Sequence, residues 1–132
     1  MNRVAEILGS AHTIAVVGLS PKRFRPSYGV AEYLQRAGYR IIPINPGVAE
    51  VLGEKAYPSL DAVPGPVDIV DIFRRPEHVP EIVEAAIRKG AKTIWMQEGV
   101  VHEDAARRAE SAGLAVVMDR CILKDHRRLG LK

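Results

Sequence analysis

The stretch TIAVVGLSPKRFRPSYG, residues 13–29, decides the fold of this 132-residue chain. Its first five residues form an apolar, mostly β-branched run without alternation, which is typical of a parallel strand buried on both faces. Gly18 ends the run, and no acidic residue follows before Glu32. The intervening loop carries three cations, Lys22, Arg23 and Arg25. This pattern predicts a strand, a loop that holds a phosphate or another polyanion, and then a helix.

The helix after this loop is expected to run from about Tyr28 to Ala37, with Ser27 as its N-cap. Serine is a favoured capping residue, and the first turn of a helix offers backbone N–H groups and a partial positive charge. Ser20 and Ser27 add hydroxyl groups to the loop. Phosphate is therefore the expected ligand.

Composition indicates one ordinary soluble domain over residues 1–132. Hydrophobic residues make up 47% of the chain and charged residues 27%, a balance that does not favour disorder. The apolar stretches are far shorter than a membrane span, and MNRVAEILGS is not a signal peptide. We expect a cytoplasmic protein.

Metal and nucleic-acid sites are not expected. The single cysteine, Cys121, cannot form an intrachain disulfide, and the four histidines show no metal-ligand spacing with it. The net charge is +3, but aromatic residues are only 5%, whereas single-stranded nucleic-acid binders use stacking aromatics. The basicity is better suited to a small anionic ligand.

Strand and helix patterns alternate along the chain. Apolar runs predict strands at 13–17, 40–44, 67–73, 93–97 and 114–118. Helical spacing predicts helices at 2–10, 28–37, 79–89 with Gly90 after the last turn, 103–112 and from about 120 onward. Residues 48–66 are expected to form a connection. The chain is therefore expected to be an α/β protein with a Rossmann-like, doubly wound parallel sheet, strand order 3-2-1-4-5 and helices on both faces.

In such sheets the ligand lies beyond the carboxyl ends of the strands, where the neighbours of the first strand diverge. Four segments are expected there: Gly18 to Arg25, Asn45-Pro46, Phe73-Arg74-Arg75 and Gln97-Glu98-Gly99. A dinucleotide fingerprint is absent, because Ser20 and Arg23 stand where its second and third glycines belong. The second strand ends at Asn45 and not at an acid. No GK[ST] triplet is present either, and the cationic charge favours a ligand with an additional phosphate.

The segments VVGLSPKRFRPSYGV, IIPINP, VDIVDIFRRPEHV and IWMQEGV resemble the single-domain CoA-binding proteins. They are similar to the amino-terminal CoA-binding domain of the succinyl-CoA synthetase α subunit and its ADP-forming relatives. The resemblance implies that the CoA phosphates contact Gly18, Leu19, Ser20, Lys22, Arg23, Arg25, Ser27 and Tyr28. It also implies that Asn45-Pro46 and Phe73-Arg74 flank the adenosine, and that Gln97, Glu98 and Gly99 line the pantetheine path.

The chain departs from the synthetases in lacking the segment with the phosphohistidine and the nucleotide-binding subunit, so we expect CoA or acyl-CoA binding without catalysis. An NAD(P)-dependent oxidoreductase with a degenerate loop, and a CoA-binding subunit of an acyl-CoA ligase, are the alternatives. A homodimer or a ligase-type partner subunit is expected as the protein partner. Glu98 as a general acid or base and Cys121 as a thiol that exchanges with CoA are weaker hypotheses.

Overall fold

The computed structural model describes residues 3–131. The helices are α1 (Arg3–Ser10), α2 (Pro26–Arg36), α3 (Val79–Lys89), α4 (Glu103–Ser111) and α5 (Ile122–Leu129). The strands are β1 (Thr13–Val17), β2 (Arg40–Ile44), β3 (Glu50–Val51), β4 (Glu54–Lys55), β5 (Ile69–Ile72), β6 (Thr93–Met96) and β7 (Ala115–Val117). Asn2, which the sequence placed in the first helix, lies outside the described residues.

Five of these strands form one parallel sheet in the order β2-β1-β5-β6-β7 within residues 3–131. One apolar core fills the space between the sheet and helices α3 and α4. A second core on the opposite face includes residues of α1, α2 and α5. The predicted α/β class, with a Rossmann-like parallel sheet and helices on both faces, is confirmed.

The predicted strand order 3-2-1-4-5 is wrong for the strand at residues 67–73. This strand is β5, and it pairs with β1 on the side away from β2. The outer position beside β2 belongs instead to Tyr57, which forms a single parallel bridge with Ile44. If that bridge is counted as a vestigial third strand, the order becomes 3-2-1-4-5-6, as in dinucleotide-binding sheets.

Pro43 shows why β2 can lie near the edge of the sheet. Arg40 donates its backbone N–H to His12 O at 2.8 Å, so alternate residues of β2 face β1. Pro43 faces the other way, since its carbonyl accepts the N–H of Tyr57 at 3.0 Å. Its missing N–H therefore falls on the outer side of β2, where proline is tolerated.

Residues 48–66 are more ordered than the predicted connection. They contain the antiparallel β3–β4 hairpin and a 3-10 turn at Leu60–Ala62. The helix predicted at 79–89 is confirmed as α3, and Gly90 ends it in the left-handed conformation as its C-cap.

Candidate functional site

The loops after β1 and β5 touch at the carboxyl edge of the sheet. Gly18 has φ +88°, and a Cβ at this position would lie 2.5 Å from Phe73 O and 3.0 Å from Arg74 Cδ. The contact is fixed by hydrogen bonds on both sides, because Gly18 N donates to Ile44 O and Phe73 N donates to Val17 O, each at 2.9 Å. Only glycine fits this close approach without a shift of the backbone.

The loop between β1 and α2 is held by its own serines. Ser27 Oγ accepts the N–H of Ser20 at 3.0 Å, and Ser20 Oγ accepts the N–H of Lys22 at 3.1 Å. The predicted N-cap at Ser27 is wrong, since α2 begins at Pro26 and its N-cap is Arg25, which makes no side-chain capping bond. Proline suits the first helical position, where an N–H is not needed. The helix therefore starts earlier and buries Ser27 in its first turn.

A basic pocket of about 340 Å³ lies between this loop, the start of α2 and the end of β5. It is lined by Gly18, Ser20, Lys22, Arg25, Pro26, Ser27 and Phe73. Its lining includes two exposed cations and no carboxylate. A helix that starts without a side-chain cap adds backbone N–H groups and a positive dipole end, so the basic pocket is suited to an anion.

An apolar pocket of about 330 Å³ opens on the other side of the contact between Gly18 and Phe73. It is lined by Val17, Ile44, Pro46, Pro58, Ser59, Leu60, Asp61, Arg74, Glu81, Ile82, Ala85 and Arg88. Val17 and Ile44 belong to the core on the α3 side, whereas Phe73 packs against the core on the α2 side. The two pockets therefore lie on opposite faces of the sheet and meet at one backbone contact.

The rim of the apolar pocket carries charges as well as apolar walls. Arg88 on α3 donates to both carboxylate oxygens of Asp61, at 3.2 and 2.9 Å. This ion pair joins α3 to the 3-10 turn and closes one side of the pocket. Mostly apolar walls with a few polar groups are typical of a site for a flat organic group.

Asn45 joins the loops after β1 and β2. Its amide nitrogen donates to Leu19 O at 3.0 Å, and its side-chain oxygen accepts the N–H of Gly47 at 2.9 Å. Leu19 itself is fully buried in the core beside α2, and Tyr28 is half-buried against that core. Among the residues predicted after β2, only Pro46 lines a described pocket. Asn45 therefore shapes the site through the backbone that it holds.

The structure does not bring Gln97, Glu98 and Gly99 into either pocket. Gln97 is buried, and its Oε1 accepts the N–H of Ile122 at the start of α5 (3.1 Å). Gly99 N donates to Asp119 Oδ1 at 2.8 Å. Glu98 forms an ion pair with Lys124 at 3.1 Å. The loop after β6 is therefore bound to the start of α5.

Arg23 and Arg75 are exposed and line neither pocket. Cys121 is buried at the N-cap of α5. Pro46 and Arg74, which the sequence analysis expected beside the adenosine, line the apolar pocket, but the sequence reasoning missed its other walls at residues 58–61 and 81–88. Those segments are far apart in sequence and carry no motif that joins them.

Asp71 is a second feature that the sequence only hinted at. It is fully buried in β5, where its register neighbours are Val16 and Trp95. Neither carboxyl oxygen has a hydrogen-bond partner among residues 3–131. Burial raises the pKa of the Asp71 carboxyl well above its ordinary value. Since side chains alternate along a strand, Asp71 lies on the same face of the sheet as Phe73, which lines the basic pocket.

Two other kinds of feature are absent from the described residues. None of the helices within residues 3–131 is long and apolar enough to cross a bilayer. The same residues contain no cluster of three or more His, Cys, Asp or Glu side chains that could hold a metal ion.

Comparison with known proteins identifies relatives over most of the chain. It is 44% identical over 123 residues to the uncharacterized protein YneT of Bacillus subtilis, covering 93% of this chain and 91% of that protein. A solved structure of a hypothetical protein from Pyrococcus horikoshii superimposes with a TM-score of 0.93 at 43% identity, covering 96% of this chain and 89% of that one.

A third relative is much longer than this chain. Subunit alpha of the ADP-forming acetate–CoA ligase I of Pyrococcus furiosus is 32% identical over 95 residues, covering 67% of this chain and 21% of that subunit. The chain thus matches about a fifth of the ligase subunit. A family model described as a CoA binding domain matches residues 12–127, and the chain therefore belongs to the CoA binding domain family.

Proposed function

We propose that this chain binds coenzyme A across the carboxyl edge of its sheet, with the diphosphate in the basic pocket and the adenosine in the apolar pocket. The observation that carries the proposal is the pairing of these two pockets on either side of the Gly18–Phe73 contact. CoA has the same order of parts, since its adenosine is joined directly to a diphosphate.

The charges support this orientation. Lys22 and Arg25 line the basic pocket, and Arg23 stands between them on the same loop. Arg74 lines the apolar pocket and follows Phe73, which lines the basic one. We infer that Arg74 contacts the 3′-phosphate of the adenosine, because it forms no ion pair within residues 3–131, whereas Arg88 in the same pocket is paired with Asp61. The guanidinium of Arg74 can bind phosphate through two N–H groups.

The pantetheine arm is proposed to leave the basic pocket toward the loop after β6. Gln97, Glu98 and Gly99 are the residues of that loop nearest in sequence to the strand end. Their hydrogen bonds to the segment 119–124 hold this loop in place, so the loop is better suited to form a rigid wall of the path than to donate polar groups to the ligand. We propose that this wall guides the arm without chemistry of its own.

The hydrogen bonds of Asn45 argue against a nicotinamide dinucleotide. In a dinucleotide-binding sheet an acid at this point holds the ribose hydroxyl groups. Here the Asn45 amide binds Leu19 O and Gly47 N, and Pro46 and Gly47 follow it. The end of β2 thus supplies no carboxylate for a ribose.

A role as the CoA-binding part of a larger ligase is the second candidate. The match to a ligase subunit alpha supports it, and the proposed CoA site would then serve chemistry carried by another polypeptide. Affinity purification from the source cell tests this candidate, because co-purification of a nucleotide-binding ligase subunit is its expected result. Recovery of the chain alone at physiological salt would contradict it.

Calorimetric titration with CoA, dephospho-CoA and NAD tests the proposed function directly. We expect CoA to bind most tightly, dephospho-CoA more weakly and NAD not measurably. Equal affinity for CoA and dephospho-CoA would remove the proposed role of Arg74. Binding of NAD without binding of CoA would overturn the proposal.

Substitution of the loop cations tests the location of the site. Replacing Lys22, Arg23 and Arg25 together by alanine is expected to weaken CoA binding roughly a hundredfold, if each contributes about 1 kcal/mol. The matched control replaces Arg40, Arg107 and Arg127, three exposed cations that line neither pocket. Both variants lose the same charge, so an equal loss of affinity would show a general charge effect and contradict the location.

A further inference from the structure

Phe24 is exposed to an unusual degree for its size. Its relative exposure is 70%, and among the large hydrophobic residues that the structure describes only Val101, at 42%, is also exposed. It interrupts a loop that is otherwise composed of cations, prolines and serines. The folded chain gains little from burial of this ring, so its presence needs another reason.

The ring is presented by an ordered turn. Arg25 N donates to Lys22 O at 3.1 Å, which places Arg23 and Phe24 at the corner of a β-turn. The turn is anchored by Ser20 Oγ, which accepts the N–H of Lys22, and Pro26 follows it. The guanidinium of Arg25 stacks over the Phe24 ring at 5.6 Å from its centroid. Little backbone entropy would therefore be lost when a ligand meets the ring.

The turn lies at the mouth of the basic pocket. Lys22 and Arg25, the first and last residues of the turn, both line the pocket, whereas Phe24 between them does not. Phe24 is thus on the outer rim, next to the cations proposed to hold the diphosphate. A ring on the outer rim is placed to contact an organic group that is bonded to the diphosphate, and not the phosphate groups inside the pocket.

We propose that Phe24 is a further ligand-binding residue that covers the apolar pantoyl end of the pantetheine arm. This inference rests on the proposed function. The adenosine is assigned to the apolar pocket on the other face of the sheet, so the organic group beside the turn at the mouth of the basic pocket is the first unit of the pantetheine, before the arm continues toward the loop after β6. Its first unit carries two methyl groups, which can pack on an aromatic face.

Dephospho-CoA and ADP provide the test, because they differ only in the pantetheine arm. We expect Phe24→Ala to weaken CoA and dephospho-CoA binding about tenfold in calorimetry, and to change ADP binding less than about twofold. Phe24→Leu keeps an apolar cover and should recover most of the affinity. Val101→Ala, the matched control at the other exposed hydrophobic residue, should leave all three affinities and the melting temperature unchanged.

Two outcomes would overturn the inference while the proposed function stands. The first is wild-type affinity of Phe24→Ala for CoA, and the second is an equal loss for ADP and dephospho-CoA. If the wild-type chain itself does not bind CoA, the proposed function and this inference fail together. Because the ring is exposed, loss of folding in Phe24→Ala would also contradict the description of Phe24 as a residue without a structural role.

Discussion

The contact between Gly18 and Phe73 predicts an unusually large effect for the smallest possible substitution. In Gly18→Ala the new Cβ lies 2.5 Å from Phe73 O, so the two loops must separate by about 1 Å to reach ordinary contact. That movement strains two backbone hydrogen bonds, Gly18 N to Ile44 O and Phe73 N to Val17 O, each worth about 1 kcal/mol. The positive φ of Gly18 adds about 1–2 kcal/mol for any side chain.

Gly65 provides a matched control for this substitution. Its φ is +82°, close to that of Gly18, but a Cβ there would meet nothing within 4 Å. We therefore expect Gly65→Ala to lower the free energy of unfolding by about 1–2 kcal/mol, and Gly18→Ala to lower it by about 3–4 kcal/mol. The difference between the two variants isolates the cost of separating the loops.

Urea denaturation of both variants, followed by tryptophan fluorescence, measures this difference. Equal destabilisation, within about 0.5 kcal/mol, would refute the argument that the two loops are held in contact. Calorimetry with CoA adds a second measurement, since Gly18→Ala should also weaken binding by separating the two pockets, whereas Gly65→Ala should leave the affinity unchanged.

Three further predictions concern buried polar groups. Between pH 4 and the raised pKa of Asp71, the folded wild type keeps a proton that the unfolded chain releases, so the free energy of unfolding falls as pH rises. Asp71→Asn should remove this fall in calorimetric melts from pH 4 to 8. Parallel curves of stability against pH for the two proteins would contradict this prediction. The Arg120 guanidinium lowers the pKa of Asp125 through bonds of 2.6 and 2.7 Å, so that stabilisation is present above the ordinary carboxyl pKa and is lost as pH falls through the lowered one. Arg120→Gln should therefore cost about 1–2 kcal/mol at pH 7 and less toward pH 3, and a cost independent of pH would contradict it. Gln97→Ala leaves the N–H of Ile122 at the start of α5 without its acceptor, so it should lower the free energy of unfolding by about 1–2 kcal/mol and speed amide exchange in α5. Unchanged exchange in α5 would argue against a role of Gln97 in capping this helix.

Much of the secondary structure could be predicted from the sequence, because its signals are local. The strand at 13–17 was indicated by a continuous apolar run, and the helix before Gly90 by the helical spacing of its apolar residues. Each of these signals depends on a few adjacent residues. The strand order could not be predicted in the same way. The place beside β2, where the third predicted strand was expected, is taken by Tyr57, which forms a single bridge and has no strand-like run around it. Pro43 was the one residue that indicated the place of β2 in the sheet. Because proline has no N–H for a strand ladder, its nitrogen is expected on the outer side of a strand near the sheet edge.

Most of the basic pocket was predictable from the sequence, whereas only Pro46 and Arg74 of the apolar pocket were. The basic pocket is built mainly from one continuous segment, so its cations could be read together with the start of the helix. The apolar pocket is assembled from the ends of three strands, a 3-10 turn and one face of α3, and its residues become neighbours only through the topology. Ser27 was expected near the ligand, and it lines the basic pocket, where its hydroxyl oxygen accepts the N–H of Ser20.

The arrangement of Pro43 and Tyr57 also limits how copies of this protein can associate. An open strand edge is a template for another chain, because its unpaired N–H and C=O groups can extend the ladder. At β2 the outward carbonyl of Pro43 is already bonded to Tyr57 N, and the outward nitrogen carries no hydrogen. Sheet extension across this edge is therefore blocked at the carboxyl end of β2, next to the apolar pocket that Ile44 and Pro46 line.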